Sequence, residues 1–388
     1  MTLAHWFSSN SATARHVTSA ARTSAFRLGA FRQLGGGLGL LGAALLSCHA
    51  PAAASPEAPA APAVKEDVGA SATPAAPAST ASTASSPAAP AQPRALPTFC
   101  RGASAAAPAV PPSARAELVK DGFVFVEGPV WSEQAGAFFF SEMDFNSVGA
   151  NGPPSKIHRL VLPKAFEVFI PNAGSNGLAI DAQGLVACTH DTQTLSRYDL
   201  GSRQRSVFVS DVRGQHFNSP NDVAIASTGH VYFTDPDWQL AGRKSDTGIT
   251  GVYWRNPAGE VRLVDADLKE PNGVSLSPDE TRLYVGGVQD GVNVYTVLAD
   301  GSLGPRSHLA DVQEPDGMAV DCAGRLFVAS HGPGKVIVLS PDGKSLGSID
   351  VAPKTTNAAF GGADHRTLLI TAGTGVYSIR TAAPGFPY

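Results

Sequence analysis

From Phe217 to Pro236 the chain reads FNSPNDVAIASTGHVYFTDP. Turn formers (Asn218, Ser219, Pro220) and a polar pair (Asn221, Asp222) precede an alternating apolar run from Val223. A Thr228-Gly229 turn leads into a second β-rich run, Val231-Tyr232-Phe233. Period-two alternation of β-branched and aromatic residues, broken by glycine, predicts a hairpin. The pattern begins again at Glu127 (EGPVWSEQAGAFFFSE), Asn176 (NGLAIDAQGLVACTH), Asn272 (NGVSLSPDETRLYVGG), Asp316 (DGMAVDCAGRLFVASH) and Asn357 (NAAFGGADHRTLLITA). These six anchors lie 41 to 51 residues apart by subtraction, and nothing between them shows the period of a long amphipathic helix. Self-similarity at about 40–50 residues marks one four-stranded blade per repeat. The expected fold is all-β: a six-bladed β-propeller.

Glu117–Val126 (ELVKDGFVFV) is β-prone and precedes the first repeat, while the last repeat offers only three clear strands. The N-terminal strand is therefore expected to close the last blade and leave no sheet edge free. The domain would run from 117 to 382. Strand direction sorts the loops: Asp144, His190, Asp235, Trp238 and His331 end second strands and fall on the anchor face. The turns at Gly184, Gly229, Gly324 and Asp279-Glu280 fall on the opposite face. Asp235-Pro236 reads first as a turn tying down the anchor loop.

The first strand of each blade lines the central channel, so the anchors form a ring of Glu127, Asn176, Asn221, Asn272, Asp316 and Asn357. It holds two carboxylates and no Lys or Arg. Such a ring resists desolvation unless something positive sits in it. An all-oxygen shell suits one hard divalent cation, Ca²⁺ first, with Mg²⁺, Mn²⁺ or Zn²⁺ as alternatives. Asn followed by Gly is, taken alone, a turn former more often than a ligand; the alignment of six repeats is what raises it.

The rest of the chain bounds the setting. A net charge of −4 over 388 residues gives no general attraction to nucleic acid or an anionic membrane. Residues 1–47 carry Arg15, Arg22, Arg27 and Arg32 without Asp or Glu, then turn apolar from Leu34 to Leu46. That is too short to span a bilayer and fits an export signal. It ends in Leu45-Leu46-Ser47-Cys48, similar to a bacterial lipobox, with Cys48 as the lipidated residue. A periplasmic or cell-envelope lipoprotein is expected, touching membrane only through that anchor; the other reading is an ordinary signal cleaved nearby. Residues 49–100 are largely Ala, Pro, Ser and Thr and are expected to form a disordered tether. Cys188 and Cys322 sit among apolar strand residues and read as buried thiols; the partner of Cys100, if any, is left open.

EGPVW, SNGLAIDAQGLVACTH, FNSPNDV…VYFTDP, PNGVSLSPDETRLYV, PDGMAVD and TTNAAFGG, in this order, resemble the gluconolactonase, regucalcin and luciferin-regenerating-enzyme family, most of all its bacterial gluconolactonase branch. The resemblance covers roughly residues 118–380 and implies a propeller with one divalent cation, often Ca²⁺, that hydrolyses a small-molecule sugar lactone. It implies Glu127, Asn272 and Asp316 as metal ligands, and Asn221 as a position that binds metal in some relatives and substrate in others. Two departures stand out. Ser219 occupies a place where animal regucalcins have a substrate-touching Arg, and Gly286-Gly287 stands where blade four commonly ends its second strand with Asp. Lactone hydrolysis needs a polarised carbonyl and an activated water; Asp316 is the candidate general base. Asn176, Asn221, His190, Trp238 and His331 are candidate substrate contacts, against the commoner structural roles of such residues. No GxSxG elbow occurs. Two rival readings are a phosphotriester hydrolase on the same metal and a non-catalytic binding module with a structural ion.

Overall fold

Each repeat folds into one antiparallel four-stranded sheet, its strands in chain order outward from the anchor. The computed structural model describes residues 89–104, 107–111 and 115–386. The export signal, Cys48 and positions 49–88 lie outside the described residues. Blade one runs through Val126–Ser132, Ala137–Met143, Ser155–Val161 and Ala165–Ile170. The inner strands of blades two to six are Ser175–Asp181, Val223–Ile225, Pro271–Leu276, Pro315–Val320 and Thr355–Gly361. The six-bladed all-β propeller expected from the repeats is the observed fold.

Burial follows from position in the blade. The two inner strands of blade one are buried throughout, because neighbouring blades cover both faces. Outer strands alternate or face water, as Ser345–Asp350 does in blade five. Val130, Phe139 and Ile157 of blade one pack on Leu178, Leu185 and Tyr198 of blade two. Leu369 and Val376 of blade six pack on Trp131, Phe138 and Phe140 of blade one. Each fully buried side chain of this size stabilises by about 1.5–3 kcal/mol, so an apolar seam at every interface holds the ring together.

The ring closes as the sequence predicts. Glu117–Lys120 pairs antiparallel with Gly375–Arg380, Leu118 opposite Tyr377, and completes blade six. The β-prone run to Val126 is divided: the chain turns at Gly122, whose φ of 89° is left-handed, and Val126 already opens blade one.

Residues 89–104 run beneath the face opposite the anchors. Ala91 N donates to Val297 O at 2.8 Å, Arg94 N to Asp279 O at 2.8 Å, and the Arg94 guanidinium meets Glu280 at 2.7 Å. Phe99 stacks on His365 at 4.0 Å. Composition put 89–100 in the tether; bonds to blade four order a segment that could not order itself. Cys100 forms a disulfide with Cys322, their Cα atoms 5.2 Å apart. The expectation that Cys322 is a buried thiol is thus corrected: a bond between residues 222 positions apart depends on where the strap passes, which local pattern cannot reveal. Cys188 is a free buried thiol, as read.

Candidate functional site

Most anchors sit beside an irregularity in the ladder. Pairing slips between Glu127 and Val130, Ser175 and Leu178, Pro271 and Val274, Pro315 and Met318, and Thr355 and Asn357. A bulge bends a strand and re-aims its side chains. In blade three the regular strand begins only at Val223, and Asn221 is fixed instead by donating N–H to Thr234 O at 2.8 Å.

The re-aimed side chains meet across the axis. Asn357 of blade six lies close enough to Glu127 of blade one and Asp222 of blade three to lower both carboxyls against the larger effect of burial, and Asn272 of blade four does the same to Asp316 of blade five. Asp222 also accepts from Val223 N at 3.0 Å and from Val274 N of blade four at 3.1 Å. The sequence marked Asp222 only as half of a polar pair; it is a third carboxylate of the shaft.

Close approach explains the glycine after the anchor. A Cβ on Gly177 would lie 2.4 Å from Asp222 Oδ1, and one on Gly317 1.8 Å from Asn357 Cγ. Neighbouring inner strands leave no room for a side chain there. Hydroxyls of the second strands then lock the anchor backbones: Ser141 Oγ donates to Asn176 O and Thr234 Oγ1 to Asn272 O, both at 2.6 Å. These two were missed. Their signal was a lone hydroxyl in an otherwise apolar run, FFFSE and VYFTD.

Glu127, Asp222 and Asp316 are buried, and burial is the main reason their carboxyls are held above the ordinary range. Asp222 is pushed to about 6. Glu127 is raised further by Asp316, and Asp316 by Asp222. His331, named as a candidate substrate contact, lies against Asp316, with Nδ1 3.2 Å from Oδ2. Burial pushes its ring down to about 4 and so keeps the imidazole neutral.

The donors present fit a hard cation. Repelling buried carboxylates with only carboxamides beside them are stabilised by a positive ion among them. Glu127, Asn221, Asn272 and Asp316 offer oxygens alone, which favours Ca²⁺, Mg²⁺ or Mn²⁺ over Zn²⁺. Among the described residues no three His, Cys, Asp or Glu side chains gather at metal-ligand spacing. The candidate set therefore relies on carboxamide oxygens beside two carboxylates.

The other rim candidates divide. Asp235 is fully buried and accepts from Asn218 N and Ser219 N, each at 2.8 Å, tying down the stretch that leads to Asn221. Asp144 caps its own loop, accepting from Asn146 N at 3.0 Å. His190 is buried, and its Nε2 donates to Pro153 O at 2.8 Å. Trp238 is half-buried in the loop after Asp235. Asn176 is buried beside the shaft, its carbonyl held by Ser141.

The chain is similar to known proteins over most of its folded part. Residues 125–374 match the model of the SMP-30/Gluconolactonase/LRE-like region. A gluconolactonase of Zymomonas mobilis is 32% identical over 294 residues, covering 69% of this chain and 82% of the relative. The pentonolactonase XacC of Haloferax volcanii is 26% identical over 257 residues, covering 64% and 81%. The solved structure of a gluconolactonase from Xanthomonas campestris superposes with a TM-score of 0.63 at 30% identity, covering 76% of this chain and 98% of that one. By its motifs, its blades and this match over most of the folded part, the chain belongs to the SMP-30/gluconolactonase/LRE-like family.

Proposed function

We propose that this protein is a lactonase that opens a sugar lactone of the gluconolactone kind, using a divalent cation held by Glu127, Asn221, Asn272 and Asp316. The observation that carries the reading is the meeting of carboxylates and carboxamides from different blades around one axis. Relatives named as gluconolactonase and pentonolactonase support lactone as the substrate class.

The bound ion would supply Lewis acidity toward the lactone carbonyl and a lowered pKa for water. The chain's own groups do the rest. Asp316 accepts a proton from the attacking water as its oxygen bonds to the carbonyl carbon. His331 holds Asp316 Oδ2 and so fixes the other oxygen's orientation. When the ring C–O bond breaks, the proton passes from Asp316 to the departing ring oxygen, giving the open hydroxy acid. Asn176 and Asn221 line the shaft where the sugar hydroxyls need partners.

Export is part of the same reading. The Cys100–Cys322 disulfide supports an oxidising compartment, in keeping with an N-terminal signal and lipidation at Cys48. Replacing Cys48 by Ser is expected to move the protein from the membrane fraction to the soluble one.

The central test is hydrolysis of glucono-δ-lactone before and after chelation. Activity is expected to vanish with the metal and return with Ca²⁺. Full turnover by metal-stripped protein would overturn the mechanism.

A further inference from the structure

The anchor face is lopsided. Between second and third strands, blade one carries residues 144–154 and blade three residues 236–250, eleven and fifteen by subtraction. Blades two, four, five and six have only 190–193, 288–290, 331–334 and 373–374 there. Long loops therefore gather on the half of the anchor face that belongs to blades one to three, away from Asp316 of blade five.

One side chain ties that half together. Arg243 Nε donates to Leu240 O at 2.9 Å in its own loop, and Nη1 to Asp191 O at 3.3 Å in blade two. Nη2 is shared among His190 O at 2.8 Å, Gln239 O at 2.9 Å and Asn151 O of blade one at 3.3 Å. Five carbonyls from three blades converge on one guanidinium. Gly152 marks the junction: its φ is 97°, and a Cβ there would lie 2.7 Å from His190 Cδ2 and 3.0 Å from Gln239 O. The assembly is hitched to an anchor as well. Ser219 Oγ donates to Pro236 O at 2.7 Å and accepts from Gln239 N at 3.1 Å, two residues before Asn221.

We propose that Arg243 is a positioning residue for substrate selection, stapling the loops of blades one, two and three into a fixed wall that reads the hydroxyls of the lactone. The inference rests on the lactonase reading above. Its partners are backbone carbonyls, and a planar fork with donors on three nitrogens can face them together where a Lys ammonium cannot. His190 and Trp238 then act as parts of this wall. Asp316 and His331 belong to blade five, so the wall and the proton transfer sit on different blades. Loosening the wall weakens recognition and spares chemistry. A site built to hydrogen-bond substrate hydroxyls discriminates strongly against analogues lacking them.

The experiment compares wild type, Arg243→Ala and Arg243→Lys on glucono-δ-lactone and on unsubstituted δ-valerolactone. For R243A we expect KM for gluconolactone to rise at least about tenfold with kcat within about threefold, and the preference over valerolactone to fall about tenfold. R243K is expected not to restore the preference, while low-millimolar guanidinium recovers part of it in R243A. Hydrogen exchange over 144–154 and 236–250 is expected to quicken in R243A while the strands stay protected. Arg243→Gln, which keeps two donors, serves if R243A does not fold. Unchanged KM and preference, equal losses on both lactones, or unchanged loop exchange would each overturn the proposal. A wild-type protein inactive on both lactones would defeat the lactonase reading and the selection role, and loop exchange would still decide whether Arg243 is a staple.

Discussion

The Val274 N–H of blade four, two residues after Asn272, donates to Asp222 Oδ2 of blade three at 3.1 Å. Asp222 also lies near the Asn357 carboxamide of blade six, which lowers its carboxyl against the larger effect of burial. It thus braces one candidate ligand by its neighbour in sequence (Asn221) and another by a bond from across the blade boundary.

Removing that brace is expected to loosen the metal site without dissolving the fold. Asp222→Ala leaves the buried Val274 N–H unpaired, at a cost of about 1–3 kcal/mol. Groups that orient ligands are typically worth about 10–100-fold in metal affinity. Ca²⁺ titration by calorimetry checks this; an unchanged affinity would show that Asp222 orients nothing.

Asp316→Asn keeps the shape of the side chain and removes the base. Turnover of gluconolactone is expected to fall by about 10²–10⁴, while the metal-free variant melts no lower than metal-free wild type, since one repelling buried carboxylate is gone. A loss below about tenfold would leave the proton transfer to some other group.

Metal removal and pH are expected to interact. Asp222 is raised from 3.8 to about 6 and Asp235 to about 8, both by burial first. A folded pKa above the unfolded one gives stability that is present at low pH and lost as pH rises through the folded value. For Asp222 the gap corresponds to about 3 kcal/mol. His190 and His331, pushed down to about 4, act oppositely: their contribution is present above 6.5 and lost as pH falls toward 4. Between pH 6.5 and 8.5 the histidines no longer change and the larger change belongs to Asp235, because Asp222 is mostly ionised by pH 6.5. Chelated protein is expected to melt lower at pH 8.5 than at 6.5, and Ca²⁺ to lessen the difference through Glu127 and Asp316 while leaving the part that belongs to Asp235, which lies outside the ligand set. Equal or higher melting at 8.5 without metal would sink the idea.

The Cys100–Cys322 bond fastens the strap beneath blade five while the strand just after it closes blade six. Its 222-residue separation gives a chain-entropy stabilisation of at most about 5 kcal/mol. Replacing both cysteines by serine is expected to lower stability by about 2–5 kcal/mol and leave kcat at 25 °C unchanged, since the strap lies on the face away from the anchors. Urea melts and initial rates decide; a large fall in kcat with stability intact would tie the strap to the active face.

Much of the fold was legible because a propeller writes itself into the chain locally. Each blade is a run of neighbouring hairpins, so period-two alternation, glycine turns and six spaced anchors suffice, and the missing strand of blade six pointed to Glu117–Lys120. The ring of six anchors was legible for the same reason, since equivalent places in a closed ring converge; the choice of Glu127, Asn272 and Asp316 as candidate ligands came from the resemblance to the family.

What the sequence could not fix were contacts between blades. Asp222, Ser141 and Thr234 act on the next blade, and His331 at its rim position lies against Asp316. Arg243 gathers carbonyls from three blades, and Cys322 finds Cys100 under the ring. None of these follows from spacing along the chain. Alternation records which face of a strand is buried. It does not record what stands opposite, because that depends on bulges, strand proximity and the path of loops, all set only once the ring has closed.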